Sequence, residues 1–385
     1  MSIIESYKKY FNVTDEEGLE KYFSPGRVNL IGEHIDYNGG YVFPAALSIG
    51  IKAVVGKRDD DLIVLKSSSF EQEIIINPEE CIEYDDKFSW GNYPRGIYKY
   101  LKNPKKSLNI YIESNLPDGA GLSSSASLEM LIAYILSSDI LSNDSEKKDL
   151  ALLGKKVEND FIGVKSGIMD QFSIVFGKKN NGILLDTNKL TYKYIPVHLK
   201  GYKLVIMNTN KKRELAGSAY NERKNQCEEA LRIINKFKKI DNLCEAKLED
   251  LKYIDNETIK KRARHVITEN QRVINSIDIL KNDELDKFGE LLNKSHRSLK
   301  EDYEVTGKEL DTIVEIAQSV DYCLGSRMTG AGFGGCAIAL VKEERVQEFK
   351  KHIQKEYYNI IKLNPGFYIS DINDGVKQLE EDFNE

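Results

Sequence analysis

The sequence predicts an α+β fold of two lobes with a cleft between them. The chain has 385 residues, more than the roughly 250 at which a single hydrophobic core usually stops growing. Extended patterns open the chain, whereas helical patterns collect in separate groups in its second half, and this segregation is typical of α+β domains. We therefore expect an N-terminal α+β domain over residues 1–188 and a C-terminal α+β domain over residues 189–385.

The first half predicts strands that lead into a buried helix. Residues 61–66 and 73–76 have the pattern of strands, and Leu108–Ser114 alternates in strand fashion. A glycine-rich turn separates this last strand from residues 124–138, which are apolar on nearly all sides, as in a buried helix. The other elements expected here are a helix over 149–161 and strands over 174–176 and 182–186.

The second half predicts several helices and two strands. The strands are expected over residues 202–207 and 336–341. A long, charged amphipathic helix is expected over about 213–238, and further helices extend to residue 298 and over 309–320. Lysines and glutamates mix along residues 211–239, which indicates a solvent-facing helix surface.

Composition excludes several classes of protein. The formal net charge is −6, which argues against nucleic-acid binding, because neutralising phosphates requires a concentrated basic surface. Residues 1–21 lack the apolar core of a signal peptide, and no run of about 18 apolar residues predicts a membrane span. The 5 cysteines include no CxxC pair, as expected of reduced thiols in a cytoplasmic protein. The 5 histidines show no clustered spacing typical of zinc ligands.

A glycine- and serine-rich segment joins the strand at Leu108–Ser114 to the buried helix. Residues 116–127 read Leu-Pro-Asp-Gly-Ala-Gly-Leu-Ser-Ser-Ser-Ala-Ser. Glycines allow a bulky anion to approach the backbone, and the helix N-terminus presents free N–H groups and the positive end of its dipole. The segment therefore predicts a polyphosphate site. It is not a Walker A loop, because it lacks the Gly-Lys-Ser/Thr ending, and a plain helix cap is the alternative.

A second glycine-rich segment, residues 330–335, formally satisfies the dinucleotide-binding pattern GxGxxG. A Rossmann loop opens a helix, whereas the residues that follow here predict a strand. A nicotinamide-dependent oxidoreductase is therefore disfavoured. We expect the segment to press its backbone against the first glycine loop or a bound phosphate, and a tight hairpin is the alternative.

Polar residues are concentrated near the N-terminus, between residues 24 and 47. Arg27, Glu33, His34, Asp36 and Asn38 lie within twelve residues and are separated by apolar or glycine positions. Mixed donors and acceptors suit a polyhydroxylated ligand such as a sugar, since each hydroxyl needs a partner that replaces water. The alternative is a solvated turn, because Asp-Tyr-Asn-Gly-Gly is also a strong turn signal.

Asp170 is a further candidate, in residues 163–172, which we expect to form a glycine-hinged loop between helical and extended segments. An aspartate at such a position could orient an acceptor hydroxyl or take its proton during phosphoryl transfer. A nearby arginine could steady the carboxylate or the developing phosphate charge. A purely structural role is the alternative.

Taken together, these segments resemble the galactokinases of the GHMP kinase superfamily. Residues 26–40, Gly-Arg-Val-Asn-Leu-Ile-Gly-Glu-His-Ile-Asp-Tyr-Asn-Gly-Gly, are similar to the galactokinase signature. Residues 116–127 and 325–335 are similar to the second and third superfamily motifs, and the resemblance spans about residues 20–375. It implies the two-lobed GHMP kinase fold, with ATP and sugar meeting in the inter-domain cleft. The implied activity is ATP-dependent phosphorylation of the C1 hydroxyl of galactose, in galactose catabolism.

The resemblance also implies roles for individual residues. Asp170 matches the catalytic aspartate, usually assigned as the base toward the C1 hydroxyl, and Arg27 matches its partner in the transition state. The positions that match sugar-binding residues are Glu33, His34, Ile35, Asp36, Gly167 and Tyr220.

Other matches concern ATP and Mg²⁺. Ser125 and Glu158 match the magnesium positions, and Ser67 matches a nucleotide contact near the base. Around Ser67 the sequence departs from the family pattern, with Lys66 where an aromatic residue is common and Ser69 where asparagine is common. The positions that match the triphosphate cradle are Gly119, Ala120, Gly121, Leu122, Ser123, Ser124 and Ser125.

Two other functions compete with galactose phosphorylation. A sibling GHMP kinase would act on N-acetylgalactosamine, arabinose or a non-sugar alcohol, but the first motif argues against non-sugars. N-acetylgalactosamine kinases tend to break the run Asn38-Gly39-Gly40, which is intact here. A ligand sensor without turnover would lose residues of the phosphate loop, whereas Ser123-Ser124-Ser125 is complete. We expect a monomer that binds galactose and ATP, without nucleic acid or membrane.

Overall fold

The structure is a computed structural model that describes residues 1–116, 121–137, 143–211, 216–380 and 383. Within these residues the helices are α1 (Ile3–Phe11), α2 (Asn92–Tyr100), α3 (Ser124–Leu136), α4 (Asp144–Lys156), α5 (Met169–Phe176), α6 (Ala216–Ile234), α7 (Glu257–Lys281), α8 (Leu285–Ser298), α9 (Gly307–Gln318) and α10 (Val346–Ile361). The strands are β1 (Glu20–Ile31), β2 (Tyr41–Lys57), β3 (Ile63–Ser67), β4 (Ile74–Ile76), β5 (Leu108–Ser114), β6 (Asn181–Asp186), β7 (Thr191–Pro196), β8 (Tyr202–Asn208), β9 (Cys323–Thr329), β10 (Cys336–Lys342), β11 (Gly366–Ser370) and β12 (Lys377–Leu379).

The larger sheet has the strand order β12-β1-β2-β5-β3-β4, and β6 and β7 extend from β2. Only β3 and β5 run parallel among these described pairs. Helix α3 packs against β1 and β2, and most of its side chains are buried. This burial explains why its sequence is apolar on nearly all sides.

The smaller sheet has the order β11-β8-β10-β9 and is antiparallel throughout its described strands. Helices α8 and α9 contact β9, and α10 contacts β10. The predicted α+β fold is therefore confirmed. The domain boundary at residues 188 and 189 stays a prediction; we note that β7 pairs with β6 across it and that β12 returns to pair with β1.

The strand predicted over residues 174–176 was wrong, because these residues form the end of α5. Ile, Val and Phe favour strands locally, and α5 is buried on nearly every side, so it shows no amphipathic period. Phe172 and Phe176, one turn apart, stack with their ring centroids 4.1 Å from each other. Tertiary packing therefore overrides local propensity here.

The helix predicted over residues 149–161 begins earlier than expected. Asn143 caps α4, and its side-chain oxygen accepts from the N–H groups of Ser145 and Glu146. The helix then continues as a π-helical turn, Val157–Ile162, which carries Glu158. Such turns occur often at functional sites.

The second glycine-rich segment is the connection of a hairpin. Residues 323–329 form β9, which pairs with β10, and residues 330–335 join the two strands. The expected start of the helix near residue 213 and the expected end of the buried helix at residue 138 lie outside the described residues. In the part of the chain that the structure describes, every helix is too short or too polar to span a membrane.

Candidate active site

One cavity of about 450 Å³ collects residues from all three motifs. Other cavities of similar or larger volume exist, for example one between β7 and α7, but this one has convergent charged and hydroxyl groups. The predicted site residues that line it are Arg27, Glu33, His34, Asp36, Gly121, Ser123, Ser124, Ser125, Glu158, Gly167, Asp170 and Tyr220.

Asp170 and Arg27 form a two-point ion pair on one wall of the cavity. The Nε of Arg27 lies 2.7 Å from Asp170 Oδ1, and its Nη2 lies 2.8 Å from Asp170 Oδ2. Burial alone would lower the pKa of Arg27, but the adjacent carboxylate outweighs it and raises that pKa. The expectation that Asp170 lies in a loop was wrong, since it lies in the first turn of α5. The helix fixes its position more firmly than a loop would.

The first glycine loop meets this ion pair at the start of α3. The hydroxyl of Ser123 donates to Asp170 Oδ2, and Arg27 donates to the carbonyl of Gly121 at 2.8 Å. Ser123 has a φ of 60°, a left-handed conformation that costs free energy for a residue with a side chain. Leu122 does not line the cavity but is buried in the core. Gly119 and Ala120 lie outside the described residues.

Glu158 lies in the π-helical turn after α4 and also lines the cavity. Ser125 Oγ is 3.4 Å from one of its carboxylate oxygens, and Ser166 donates to the other. Burial raises the pKa of the Glu158 carboxyl. Among the described residues, no three His, Cys, Asp or Glu side chains cluster as metal ligands. The oxygens of Ser125 and Glu158 are nevertheless hard ligands of the kind that Mg²⁺ prefers.

Glu33 connects the N-terminal polar segment to the hairpin of β9 and β10. Its Oε1 accepts from the Thr329 hydroxyl at 3.0 Å and from the Gly330 N–H at 2.7 Å. The guanidinium of Arg327, fully buried, lies 3.3 Å from the same oxygen. A Cβ atom at Gly330 would lie only 2.9 Å from the carbonyl oxygen of Gly121. The two glycine loops therefore touch, as the sequence predicted.

His34 is buried and hydrogen-bonded at both ring nitrogens. Nδ1 lies 2.8 Å from the Tyr37 hydroxyl, and Nε2 lies 3.1 Å from the carbonyl of Ala331. Because a carbonyl can only accept, Nε2 carries the proton. Burial lowers the pKa of His34 to about 3, so the ring is neutral at pH 7.

Asp36, Gly167 and Tyr220 line the cavity beside Glu33 and His34. We call these five residues the polar wall. Burial, followed by the charges of Asp170 and Glu33, raises the pKa of Asp36 to about 7. A Cβ atom at Gly167 would collide with the Asp36 carboxylate, so glycine is required for this close approach. The Tyr220 ring lies 5.5 Å from His34 and 5.3 Å from Tyr37, between centroids. Ile35 is fully buried and does not line the cavity.

Ser67 lies outside the cavity lining, at the end of β3. Its hydroxyl accepts from the N–H of Ser69 at 3.2 Å. Strand β3 runs parallel to β5, and Ser67 pairs with Ile112 near the C-terminal end of β5. Ser67 therefore lies at the end of the sheet where the chain leaves β5 toward the first glycine loop.

Sequence reasoning missed several residues that line the cavity or support it. Ser166 and Asn221 line it, and each lies close in sequence to a predicted site residue, which was the available signal. His265 and Glu269, on α7, contact the backbone at Glu33 and Gly32. Their helix looks like an ordinary charged amphipathic helix, so the sequence carried no signal for them.

Comparison with known proteins agrees with this geometry. The galactokinase galactose-binding signature matches residues 5–57, the N-terminal domain model of GHMP kinases matches residues 92–178, and the C-terminal model matches residues 277–359. These three segments contain Arg27 with Glu33, Asp170 with Glu158, and Gly330, respectively. All three therefore contribute to the one cavity.

Individual relatives match nearly the whole chain. A curated galactokinase of Clostridium tetani is 50% identical, over 98% of this chain and 98% of its own length. The crystal structure of Lactococcus lactis galactokinase complexed with galactose is 43% identical, covers 98% of this chain and 100% of that chain, and has a TM-score of 0.91. Methanococcus jannaschii mevalonate kinase, 22% identical with a TM-score of 0.65 over 94% of this chain and 100% of that one, shares the fold. This chain belongs to the galactokinase family of the GHMP kinase superfamily.

Proposed function

We propose that this protein transfers the γ-phosphoryl group of ATP to the C1 hydroxyl of galactose, giving galactose 1-phosphate and ADP. The observation that carries the proposal is the Arg27–Asp170 ion pair. This pair lies in the same cavity as the first glycine loop and the polar wall. A phosphate donor and a sugar acceptor would meet at this pair. Membership of the galactokinase family supports the same reaction.

Asp170 is the residue we assign to the acceptor hydroxyl. Its carboxylate can accept a hydrogen bond from the C1 hydroxyl, orient the oxygen toward the γ-phosphorus and take the proton as the new bond forms. Phosphoryl transfer through a loose transition state requires little early deprotonation, so orientation accounts for more of the effect than basicity. Arg27, held by the same carboxylate, would stabilise the charge on the phosphoryl group.

The first glycine loop is the site we assign to the triphosphate. Ser123, Ser124 and Ser125 present hydroxyls at the N-terminus of α3, where the free N–H groups and the helix dipole favour an anion. Gly119 and Ala120 belong to the same proposed cradle. We also assign Ser67 to the base side of the nucleotide, because it lies near the C-terminal end of β5, where the chain leaves toward the first glycine loop.

The polar wall is the site we assign to galactose. Glu33, His34, Asp36 and Tyr220 all line the cavity, and Glu33, Asp36 and Tyr220 supply acceptors and donors for sugar hydroxyls. Both ring nitrogens of His34 are already hydrogen-bonded, so His34 would contribute through the shape of the wall. Gly167 would contribute its backbone, since its lack of a side chain brings it close to Asp36. Ile35 would act through the backbone it fixes between His34 and Asp36.

The residues present fit a magnesium ion shared with the nucleotide. Mg²⁺ in such enzymes is bound by one or two protein oxygens together with substrate phosphates, and Ser125 and Glu158 offer such oxygens 3.4 Å apart. When bound, the ion would offset the negative charge of the phosphates. We further propose a cytoplasmic monomer with domains over residues 1–188 and 189–385.

The experiment that tests this function is a sugar panel with ATP and Mg²⁺. We expect ADP release with galactose and much less with N-acetylgalactosamine, arabinose and glucose, and phosphorus NMR should show a phosphate at C1. Faster turnover of N-acetylgalactosamine would point to the sibling kinase instead. Measurable sugar binding without ADP release would favour a ligand sensor.

A further inference from the structure

Helix α7 contacts the backbone of residues 32–41, which we call the sugar loop because it carries Glu33, His34 and Asp36. The Gly32 N–H donates to Glu269 Oε1 at 2.9 Å, and His265 Nε2 lies 3.1 Å from the carbonyl oxygen of Glu33. The Tyr41 N–H donates to Asn270 Oδ1 at 2.8 Å. Residues four positions apart on a helix lie on the same face, so α7 presents His265 and Glu269 together to the loop.

The sugar loop needs such partners because its backbone departs from regular structure. Gly32 has a φ of 106° and His34 a φ of 61°, and the pairing of β1 with β2 is irregular between Asn29 and Ile31. Buried backbone groups that lose their ladder partner must find another one. Side chains of α7 supply these partners, and a left-handed residue such as His34 persists only where its surroundings hold it.

The two α7 side chains are themselves fixed from behind. Ser295 donates to Glu269 Oε1 at 2.7 Å, and Arg272 donates to Oε2 at 2.7 Å. Burial would raise the pKa of Glu269, but Arg272 and other nearby charges lower it to about 2, so the carboxylate is charged. Both Glu269 and His265 are fully buried, which is costly unless every polar atom is paired.

His265 has one defined tautomer in this arrangement. The carbonyl oxygen of Glu33 can only accept, so Nε2 carries the proton, and Nδ1 faces the Ser298 hydroxyl at 2.9 Å. Burial lowers the pKa of His265 to about 4, so the ring stays neutral at pH 7. Its ring also packs on Tyr303, with centroids 4.5 Å apart.

We propose that His265 and Glu269 are positioning residues that set the affinity for the sugar by holding the backbone of Gly32 and Glu33. Both side chains contact the backbone of the sugar loop and do not line the cavity themselves. By holding that backbone they keep the side chains of Glu33, His34 and Asp36 in the orientation in which they line the cavity. These hydrogen bonds join α7 to the sugar loop, and none of them involves the described part of the first glycine loop. The inference rests on the proposed galactose kinase activity.

The test compares steady-state kinetics and direct galactose binding in two variants. Glu269→Ala removes the acceptor for Gly32, and His265→Phe removes the donor to Glu33 while keeping a ring against Tyr303. We expect the galactose KM and Kd to rise at least about tenfold, from the loss of one buried hydrogen bond. The ATP KM should stay within about twofold by the same reasoning.

Two further variants control the test. Ser276→Ala changes another buried residue of α7, whose hydroxyl donates to Val273 in the same helix, and should leave both KM values unchanged. Glu269→Gln keeps an oxygen for Gly32 and should recover most of the galactose affinity lost in Glu269→Ala. If Glu269→Ala does not fold, His265→Phe carries the test, with Ser276→Ala as its control.

The outcomes separate this inference from the proposed function. Folded Glu269→Ala and His265→Phe variants that bind galactose as the wild type does, or that lose galactose and ATP affinity equally, would overturn the positioning role while leaving the kinase activity intact. A wild-type protein that neither binds nor phosphorylates galactose would overturn the proposed function and, with it, this inference.

Discussion

Arg27 and Asp170, 143 positions apart in the sequence, meet in a two-point ion pair with distances of 2.7 and 2.8 Å. Arg27 is almost fully buried, whereas the side chain of Asp170 is 31% exposed. Both carboxylate oxygens therefore have a cationic partner, and one edge of the carboxylate faces the cavity. An arginine fork fixes the plane of a carboxylate more firmly than a lysine would. The pair thus orients Asp170 before any substrate arrives.

The magnesium assignment predicts a specific effect of Glu158→Gln. Loss of one charged contact should raise the Mg²⁺ concentration at half-maximal rate by at least about tenfold, since such contacts contribute roughly 1.5–3 kcal/mol. The measurement is a Mg²⁺ titration of the rate at saturating galactose and ATP.

The matched control for this prediction is Glu129→Gln. Glu129 is also fully buried, and burial raises its pKa well above the ordinary value. Its carboxyl accepts from the Gln171 amide and does not line the cavity, so its replacement by an amide should leave the Mg²⁺ dependence unchanged. Equal shifts in both variants would refute the assignment of Glu158.

Contact between the two glycine loops predicts that Gly330→Ala impairs catalysis. Gly330 has a φ of 87°, and its Cβ would press on the Gly121 carbonyl. Gly201 has a φ of 81° with nothing within 4 Å of its Cβ position. Both substitutions should lower the unfolding free energy by about 1–2 kcal/mol through backbone strain.

The two variants should differ in activity. Gly330→Ala should lower kcat/KM for ATP by about tenfold or more, because a shift of about 1 Å near the reacting groups is costly. Gly201→Ala should keep wild-type kinetics. Thermal unfolding measured alongside kinetics separates the two effects, and normal activity in Gly330→Ala would show that the contact has no catalytic role.

The raised pKa of Asp36 predicts pH-dependent sugar binding. With a pKa of about 7, roughly a tenth of the carboxyl is ionised at pH 6 and roughly nine tenths at pH 8. The ionised form accepts stronger hydrogen bonds from sugar hydroxyls. The galactose KM should therefore fall by up to about tenfold between pH 6 and pH 8 as Asp36 ionises.

The measurement is the galactose KM across this pH range in the wild type and in Asp36→Asn. The variant has no carboxyl to titrate, so its galactose KM, although higher, should be flat with pH. A wild-type KM that is constant or rises with pH would contradict the assignment.

The motifs were readable from the sequence because each is local. Arg27, Glu33 and Asp36 lie within ten residues, and the serines of the first glycine loop are consecutive. Their spacing, together with turn and helix signals, predicted a phosphate site and a sugar site. The structure brings residues of both predicted sites into one cavity.

What the sequence did not predict depends on distant contacts. The carboxylate of Glu33 finds Thr329 and Gly330 nearly three hundred residues away, and no local rule specifies that pairing. His265 and Glu269 lie among the many charges of α7, so nothing marks them as buried. Residues 174–176 looked like a strand because local propensity cannot register that α5 is enclosed on all sides.

The most direct test of the central claim is the rate of galactose-dependent ADP release by Asp170→Asn, with galactose binding measured in parallel. We predict a fall in kcat of about 1,000-fold or more and a galactose Kd within a few-fold of the wild type. Asp60→Asn is the matched control, because Asp60 forms a similar two-point pair with Arg58 on the surface, and it should keep wild-type activity. An Asp170→Asn protein with more than about a tenth of the wild-type kcat would contradict the account.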